Sequence, residues 1–307
     1  MPQLDLAVLS GLSIPAVTPF QNDEKLSIDF KKLSKLIDYL IDVQKADSLI
    51  AVGTTGEASS LNREEKESVI AHTIEAAKGR VPVIAGTGSS CTEDAMSLTR
   101  FAEKSGAAGV LVISPYYIRP NQDGLCRHFL KVAECTKLPV ILYNHPGRTG
   151  VSIEVTTVIK LANAAKNIIG IKDCPGSLLA STELARRAHA EIKHSFAVLA
   201  GEDENLFVNL CLGADGAVAG TGNLLGAEIK TLMTAFREGT LAKAREIQFS
   251  LVEFQRMLFT MPSPAPIKAA LDILGTGLGG PVRSPLVDAP KEFSMKLEAQ
   301  LKKMHKV

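Results

Sequence analysis

The segment Ile168-Ile169-Gly170-Ile171-Lys172-Asp173 is a short apolar run that ends in two charged residues. Runs that are almost continuously apolar, rather than alternating, are typical of strands in a parallel sheet that is buried on both faces. Similar runs recur along the chain at roughly the 30-residue spacing of a β-α-β unit. Together with this segment, the runs lie at residues 14–17, 49–52, 81–85, 110–113, 140–143, 168–171, 197–199 and 217–219.

The stretches between these runs have helical periodicity. Apolar residues between Phe30 and Ile41 recur at i, i+3 and i+4, Asn62 with Glu65 predicts a capping box, and Thr92 predicts a further helix start. Alternation of strand and helix over all of these runs predicts a closed (β/α)8 barrel, the TIM-barrel fold of the α/β class. An open doubly wound sheet, which usually has fewer strands, is the alternative.

Helical patterns alone follow the last apolar run, at residues 225–239, 241–260, 264–274 and 291–304. They predict a C-terminal helical extension without strands of its own. We therefore expect two regions, a (β/α)8 catalytic barrel over residues 1–224 and a C-terminal helical region over residues 225–307.

Composition excludes several classes of ligand. The chain has 34 basic and 33 acidic residues and only 5% aromatic residues, so it lacks both the positive field and the stacking surfaces that nucleic acid requires. The five cysteines and six histidines have no metal-ligand spacing, and the glycine-rich strings fit no nucleotide motif. We expect no metal, no bound cofactor and no disulfide framework.

The N-terminus has no basic region before its apolar residues, and no apolar stretch is long enough to cross a membrane. These features, with the scattered cysteines, predict a cytoplasmic protein that does not associate with membranes.

In a (β/α)8 barrel the active site forms where the strands end. If side chains alternate along the sixth run, Ile169 and Ile171 face the helices, Lys172 points into the barrel mouth, and Gly170 leaves space beneath it. Burial lowers the pKa of a lysine toward neutrality, which gives the free amine that forms a Schiff base with a ketone. A strand-end lysine that extends into solvent is the structural alternative.

Three further strand ends carry polar groups. The turn Gly53-Thr54-Thr55-Gly56-Glu57 has hydroxyls and free backbone N–H groups that can receive a carboxylate, although a plain connecting turn has the same composition. Tyrosines occur in Pro115-Tyr116-Tyr117 and in Tyr143-Asn144-His145-Pro146-Gly147-Arg148-Thr149-Gly150. Two strand ends with tyrosines indicate function more strongly than one.

These motifs, together with Ile169-Gly170-Ile171-Lys172, resemble those of the dihydrodipicolinate synthases, a family of the N-acetylneuraminate lyase superfamily of class I aldolases. The resemblance extends from about Ile14 into the C-terminal helices. It implies a (β/α)8 barrel, commonly a homotetramer built as a dimer of tight dimers. It also implies condensation of pyruvate with L-aspartate 4-semialdehyde to 4-hydroxy-tetrahydrodipicolinate, a step in the biosynthesis of lysine and diaminopimelate.

The resemblance assigns the catalytic roles. Lys172 would form a covalent imine with pyruvate, and Tyr143 would act as the general acid and base. Thr54 and Tyr117 would complete a proton relay to solvent, with Tyr117 contributed across the tight-dimer interface. No cofactor is implied, because the protonated imine is itself the electron sink.

The resemblance also assigns the substrate contacts. Thr55 would hold the pyruvate carboxylate and Arg148 the carboxylate of the semialdehyde, in keeping with the bidentate geometry of a guanidinium. Gly201 and the main chain of Val218 would complete the floor of the pocket.

The sequence departs from the family in three places. Arg63 and Lys66 stand where lysine-inhibited members often have histidines, and two cations there would repel the side-chain ammonium of lysine. Ser90, Asp94 and Tyr116 stand where other contacts of that allosteric site would fall, so inhibition by lysine stays open. Asp173-Cys174 replaces the more usual Glu-Ala, and His145 lies inside the tyrosine motif.

Two other functions are compatible with parts of the pattern. Another pyruvate-dependent class I aldolase, of the 2-keto-3-deoxy sugar acid aldolase or N-acetylneuraminate lyase type, would share Lys172 and Tyr143. A non-catalytic small-molecule binding protein of the periplasmic kind has a similar length but predicts an export signal, which the N-terminus does not offer.

Overall fold

The computed structural model describes residues 4–306. Its parallel strands close into one barrel in the order β1 to β8, and β8 pairs with β1. The strands are β1 (Leu12–Pro15), β2 (Ser48–Ala51), β3 (Val83–Gly86), β4 (Gly109–Ile113), β5 (Val140–Asn144), β6 (Ile168–Asp173), β7 (Ala197–Ala200) and β8 (Gly216–Val218). The predicted (β/α)8 barrel is confirmed, and the closure rules out an open sheet.

Helix α1 (Leu6–Leu9) precedes the barrel, and at least one helix follows each strand. The helices that follow the strands are α2 (Phe30–Asp42), α3 (Arg63–Ala77), α4 (Thr92–Lys104), α5 (Gln122–Glu134), α6 (Pro146–Thr149), α7 (Val155–Ala164), α8 (Leu178–Glu191), α9 (Leu206–Cys211) and α10 (Gly222–Arg237). The C-terminal helices are α11 (Leu241–Phe259), α12 (Ala265–Ile273) and α13 (Lys291–Lys303).

The predicted division at residues 224 and 225 falls inside α10. The backbone leaves the helical region at Leu225, with φ −126° and ψ 19°, so the helix is kinked there. Helix α10 packs against both β1 and α11, and it therefore joins the barrel to the C-terminal helices. The division into two regions stays a prediction.

Both predicted helix starts are confirmed in position, and only the first has a capping box. The Asn62 side chain accepts a hydrogen bond from the Glu65 backbone N–H (2.9 Å), and Glu65 accepts one from the Asn62 N–H (3.0 Å), so the capping box is present. Thr92 is instead the first helical residue of α4, after an N-cap at Cys91 that makes no side-chain bond. The Thr92 hydroxyl contacts Nδ1 of His128 at 3.0 Å instead.

An irregularity in β6 overturns one predicted orientation. Val140 pairs with Ile168, but the next residue of β5 pairs with Gly170, so Ile169 is the extra residue of a β-bulge. Ile171 packs between barrel and helices as predicted, whereas Ile169 packs against the apolar cluster inside the barrel. The prediction that Ile169 faces the helices was therefore wrong, because the bulge interrupts the alternation.

Gly170 leaves no open space beneath Lys172. A Cβ added to Gly170 would lie 2.9 Å from the Ala197 carbonyl oxygen. The glycine instead allows β6 and β7 to approach closely, and this packing supports the strand end that carries the lysine.

Apolar residues fill the lower part of the barrel. The inner cluster includes one large side chain from most strands, and Leu4 and Leu9 belong to it. Its strand members include Ile50, Ile84, Leu111, Ile141, Leu199 and Val218. A larger cluster fills the space between the strands and the helices. Because the interior is packed, a polar site has room only at the ends of the strands.

A buried ion pair joins the turn after β2 to the C-terminal helices. The Lys268 ammonium of α12 lies 2.6 Å from Oε1 of Glu57, and the two side chains are 1% and 0% exposed. Lys268 also donates to the Pro281 carbonyl (2.7 Å), and the Arg283 backbone N–H donates to Oε2 of Glu57 (2.9 Å). Sequence analysis did not identify this pair, which stabilises the turn with Thr54 and Thr55.

Arg283 extends the same network to the N-terminal part of the chain. Its guanidinium donates to the Leu26 carbonyl and forms two bonds of 2.8 Å with the Glu65 carboxylate. It lies 4.4 Å from the centre of the Phe20 ring, and the Lys268 Nζ lies 4.3 Å from the same ring. Two cations over one buried aromatic ring add cation–π attraction to the ion pairs.

We expect Lys268→Met to lower the free energy of unfolding by about 3–5 kcal/mol, because it leaves the Glu57 carboxylate buried without its counter-ion. The double variant Glu57→Gln/Lys268→Met removes that charge and should recover most of the loss. Urea unfolding followed by circular dichroism measures both.

The matched control is Lys302→Met, which removes an exposed ion pair with Glu298. Its effect should stay within about 0.5 kcal/mol. A loss for Lys268→Met as small as that of the control would contradict the assigned role of the buried pair.

Candidate active site

A cavity of about 680 Å³ opens where the barrel strands end. The ends of β5 and β6 contribute Tyr143 and Lys172, and the connecting turns contribute Thr54, Thr55 and Gly201. The remaining lining residues are His145, Arg148, Cys174, Glu202, Asp203, Glu204, Gly220, Arg256, Phe259, Thr260, Met261, Pro262 and Ser263. The loop from Phe259 to Ser263 was not anticipated, since a helix end and a connecting loop carry no chemical motif.

Lys172 and Tyr143 are direct neighbours across two strands. The register of β5 and β6 pairs the two residues, and both side chains point inward. The Lys172 Nζ lies 4.3 Å from the centre of the Tyr143 ring, and the residues are 8% and 5% exposed. The alternative of a lysine that extends into solvent is therefore wrong.

The pKa of Lys172 differs from the predicted direction. Burial lowers it, but the neighbouring acidic groups of Tyr143, Cys174 and Asp203, with a hydrogen bond to Tyr143, favour the protonated amine, and the net direction of the pKa is upward. Sequence analysis considered burial alone. Lys172 therefore rests as an ammonium, which must lose a proton before the nitrogen can attack a carbonyl.

Tyr143 has the contacts of a proton carrier. Burial raises the pKa of its phenol, while the Lys172 ammonium, a hydrogen bond with Thr54 and the Arg148 guanidinium act in the opposite direction. A phenol that accepts a proton from one neighbour and donates its own to another moves charge without becoming a phenolate. Tyr143 thus interacts with Lys172 on one side and with Thr54 on the other.

Gly201 leaves the room that Lys172 occupies. An added Cβ would overlap Sγ of Cys174 and lie 3.0 Å from Cε of Lys172. The Gly201 N–H donates to the Asp173 carbonyl at 3.0 Å, which fixes the start of the turn after β7. A side chain at this position would clash with Cys174 and crowd Lys172.

The carboxylates of the cavity wall already have protein partners. Glu202 accepts hydrogen bonds from the Gly176 N–H and the Asn205 amide, both at 3.0 Å. Asp203 accepts from the Thr221 N–H at 2.6 Å, and Glu204 pairs with Arg256 at 2.5 Å. These groups hold the turn after β7 and the end of α11 in place.

Four other predicted residues occupy different surroundings. Thr55 and Arg148 line the cavity, whereas the Val218 side chain lies in the inner apolar cluster and its backbone pairs with Ser13. Tyr117 is 92% exposed, has a φ of +75° and does not line the cavity of its own chain.

A second cavity of about 240 Å³ contains part of the predicted allosteric site. Lys66 and Tyr116 line it together with Thr54, Tyr143 and Arg148, so it adjoins the main cavity.

The other three candidates for that site, Arg63, Ser90 and Asp94, do not line this cavity. Burial lowers the pKa of Lys66, and the nearby Asp94 carboxylate opposes this. Arg63 turns away to Glu67 (2.5 Å) and Ser97 (3.1 Å). Ser90 lies in the loop before α4 and does not line the cavity.

His145 is a cavity residue whose role the sequence does not assign. Burial, assisted by the Arg148 and Lys172 cations, lowers the pKa of its imidazole to about 4, so the ring is neutral at neutral pH. Its ring centre lies 6.0 Å from that of Tyr143.

Residues 4–306 lack two further features. No group of three or more His, Cys, Asp and Glu side chains in that range is arranged to hold a metal ion. No helix in the same range combines the length and apolar character needed to span a membrane.

Comparison with known proteins gives a consistent result. The model of the dihydrodipicolinate synthetase family matches residues 8–304. The 4-hydroxy-tetrahydrodipicolinate synthase of Bacillus subtilis (strain 168) is 39% identical over 294 residues, which cover 96% of this chain and 99% of the relative.

Solved structures agree. The structure of a monomeric dihydrodipicolinate synthase variant has a TM-score of 0.91 to this chain, with 33% sequence identity, and the match covers 98% of this chain and 99% of the other. The lysine-bound enzyme from Cyanidioschyzon merolae has a TM-score of 0.92, with 31% identity over 98% and 99%.

The pKa of Cys174 leads to a prediction about its reactivity. Burial raises the pKa of this thiol to about 12, so at pH 8 only about one molecule in ten thousand carries the thiolate that reacts. Iodoacetamide at pH 8 should therefore label the exposed Cys91 and Cys211 and leave Cys174 unmodified, as peptide mass analysis can determine.

Labelling in urea is the control, and all five cysteines should then react. Labelling of Cys174 in the folded protein as fast as that of Cys91 would contradict the raised pKa.

Proposed function

The chain belongs to the dihydrodipicolinate synthetase family, and we propose that it condenses pyruvate with L-aspartate 4-semialdehyde through an imine between pyruvate and Lys172. The family and the enzyme class predicted from the motifs, a lyase, are confirmed. The observation that carries the proposed site is the buried Lys172 Nζ, 4.3 Å from the Tyr143 ring at the mouth of the barrel. The product is 4-hydroxy-tetrahydrodipicolinate, on the route to lysine and diaminopimelate.

Imine formation starts with loss of a proton from the Lys172 ammonium. Tyr143 contacts both Lys172 and Thr54, so the phenol can accept that proton and pass its own to the threonine hydroxyl. The free amine attacks C2 of pyruvate, and the carbinolamine hydroxyl leaves as water after protonation by Tyr143. The proton that the lysine gave up thereby returns to the reaction.

Carbon–carbon bond formation follows from the chemistry of the iminium. Its positive nitrogen accepts the electron pair that remains when a proton leaves the pyruvate methyl group, and this gives an enamine. The enamine carbon attacks the aldehyde carbon, and the aldehyde oxygen takes up a proton to become a hydroxyl. The α-ammonium of the semialdehyde then loses one proton, and the resulting amine attacks the imine carbon. The ring closes as a cyclic imine, and the two remaining protons of the amine pass to the departing Lys172, which is released as an ammonium.

Substrate binding rests on groups in the same cavity. Arg148 presents a guanidinium for the carboxylate of the semialdehyde, and Thr55 a hydroxyl for the carboxylate of pyruvate. The close contact of Gly201 with Lys172 and Cys174 supports a flat, narrow place for pyruvate, and the main chain of Val218 continues that floor.

The relay from Thr54 would end at Tyr117 of a second copy of the chain. Tyr117 is 92% exposed and has a left-handed backbone. Both features suit a residue whose side chain extends into the site of a partner and is covered by that partner. The proposal includes a tight dimer, doubled into a homotetramer.

Family membership favours neither of the other functions that the sequence left open. A comparison of kcat/KM for aspartate semialdehyde and glyceraldehyde tests this directly. Preference for glyceraldehyde would support a sugar acid aldolase in place of the proposed reaction.

Trapping with borohydride tests the role of Lys172. Incubation with pyruvate and sodium borohydride should reduce the imine to a stable secondary amine on Lys172, because only an imine at that nitrogen is reducible there. Peptide mass analysis locates the adduct, and Lys172→Arg is the control that should give none. An adduct elsewhere, or none in the wild-type chain, would refute the proposed imine.

Hybrid dimers test the role of Tyr117. A dimer of one Lys172→Ala chain and one Tyr117→Phe chain, isolated through two affinity tags, contains one complete site if Tyr117 acts across the interface. Its activity should be about half that of the wild-type dimer, far above either parent, since a two-fold interface exchanges the same residue in both directions.

The matched control is a hybrid of Lys172→Ala with Tyr143→Phe, in which neither site is complete and no activity should return. A Tyr117 hybrid no more active than its parents would show that the tyrosine does not act across the interface.

A further inference from the structure

Two polar atoms of the main cavity are buried without a hydrogen-bond partner, as judged within residues 4–306. They are Nδ1 of His145 and Oγ of Ser263. The three acidic side chains of the wall are already engaged by protein donors, as described above. Among the uncharged side chains of this wall that carry nitrogen, His145 is therefore the one that is available to a ligand.

The backbone of His145 is fixed by α6. Its carbonyl accepts hydrogen bonds from the N–H groups of Arg148 (2.9 Å) and Thr149 (3.0 Å). The side chain does not cap the helix. A Cβ on Gly147 would lie 3.5 Å from Cε1 and 3.6 Å from Nδ1 of the ring, so the imidazole rests against this glycine. The ring thus lies in a defined position beside Tyr143, and its Nδ1 has no hydrogen-bond partner.

The charges around the ring define what it can bind. Arg148 and Lys172 are the cations that act on it, and with burial they keep it neutral. A neutral imidazole has one N–H and one nitrogen lone pair. Its lone pair can therefore accept a hydrogen bond from a positively charged group. The two cationic neighbours, Arg148 and Lys172, cannot play this part, because they would repel such a group.

L-Aspartate 4-semialdehyde carries a carboxylate and an ammonium on the same carbon. If Arg148 binds the carboxylate, the ammonium must lie within a few ångströms of it, and His145 is the residue three positions before Arg148 at the start of the same short helix. An acceptor without charge is required here, because a cation would oppose the ammonium.

We propose that His145 is a substrate-binding residue that accepts a hydrogen bond from the α-ammonium of the aldehyde substrate. This inference rests on the proposed function. It makes the enzyme selective for a 2-amino aldehyde over the same aldehyde without the amino group.

Succinate semialdehyde is the matching probe, since it has the same carboxylate and aldehyde but no amino group. In the wild-type enzyme we measure KM for aspartate semialdehyde and Ki for succinate semialdehyde as its competitor. In His145→Val, KM should rise about tenfold or more, as expected for loss of a hydrogen bond to a charged group, while Ki changes less than twofold. KM for pyruvate should not change.

A second variant guards against loss of packing. His145→Asn keeps an uncharged acceptor, and its KM should lie between those of the wild type and His145→Val. His305→Asn makes the same exchange at an exposed position with a left-handed backbone that asparagine tolerates, and it should leave all constants unchanged.

Equal increases in KM and Ki, or no increase in KM, would overturn the inference. The imine trapped by borohydride separates the two levels of the proposal. An adduct on Lys172 of His145→Val with an unchanged KM rejects the role of His145 alone, whereas no adduct in the wild type rejects the proposed function.

Discussion

The buried ion pair between Glu57 and Lys268 is the constraint on which the geometry of the site depends. Glu57 ends the turn that carries Thr54 and Thr55, and it has a left-handed backbone with φ 57°. A carboxylate at this depth requires its counter-ion, and that counter-ion comes from α12. The docked C-terminal helices therefore stabilise the form of this turn. The loop from Phe259 to Ser263, which completes the cavity, is placed by the same docking.

The sequence was sufficient to predict the strands, because fully buried parallel strands are almost continuously apolar and little else in the chain is. It also identified Lys172 and Tyr143 as strand-end residues. That the two side chains meet depends on the register of β5 and β6, which no local pattern encodes. The partnership of Glu57 with Lys268 escaped prediction for a similar reason, since an isolated lysine in an amphipathic helix normally faces solvent.

The raised pKa of Lys172 shows that neighbouring groups can outweigh the effect of burial on an ionisable side chain. Burial alone favours the free amine, but in this site the nitrogen shares its surroundings with a phenol, a thiol and a carboxylate. In the resting site the nucleophilic nitrogen of Lys172 thus carries a proton, and the adjoining phenol of Tyr143 can accept it. Cys174 contributes a small, uncharged wall beside this pair, because its own thiol holds its proton firmly.

The bulge at Ile169 divides β6 into two halves whose side chains face in different directions from those of a regular strand. Below it, Ile168 belongs to the layer between barrel and helices, while above it Lys172 faces the interior. In a regular strand these two residues, four positions apart, would share a face. The bulge therefore allows one strand to place an apolar residue against the helices at its start and the reactive lysine in the cavity at its end.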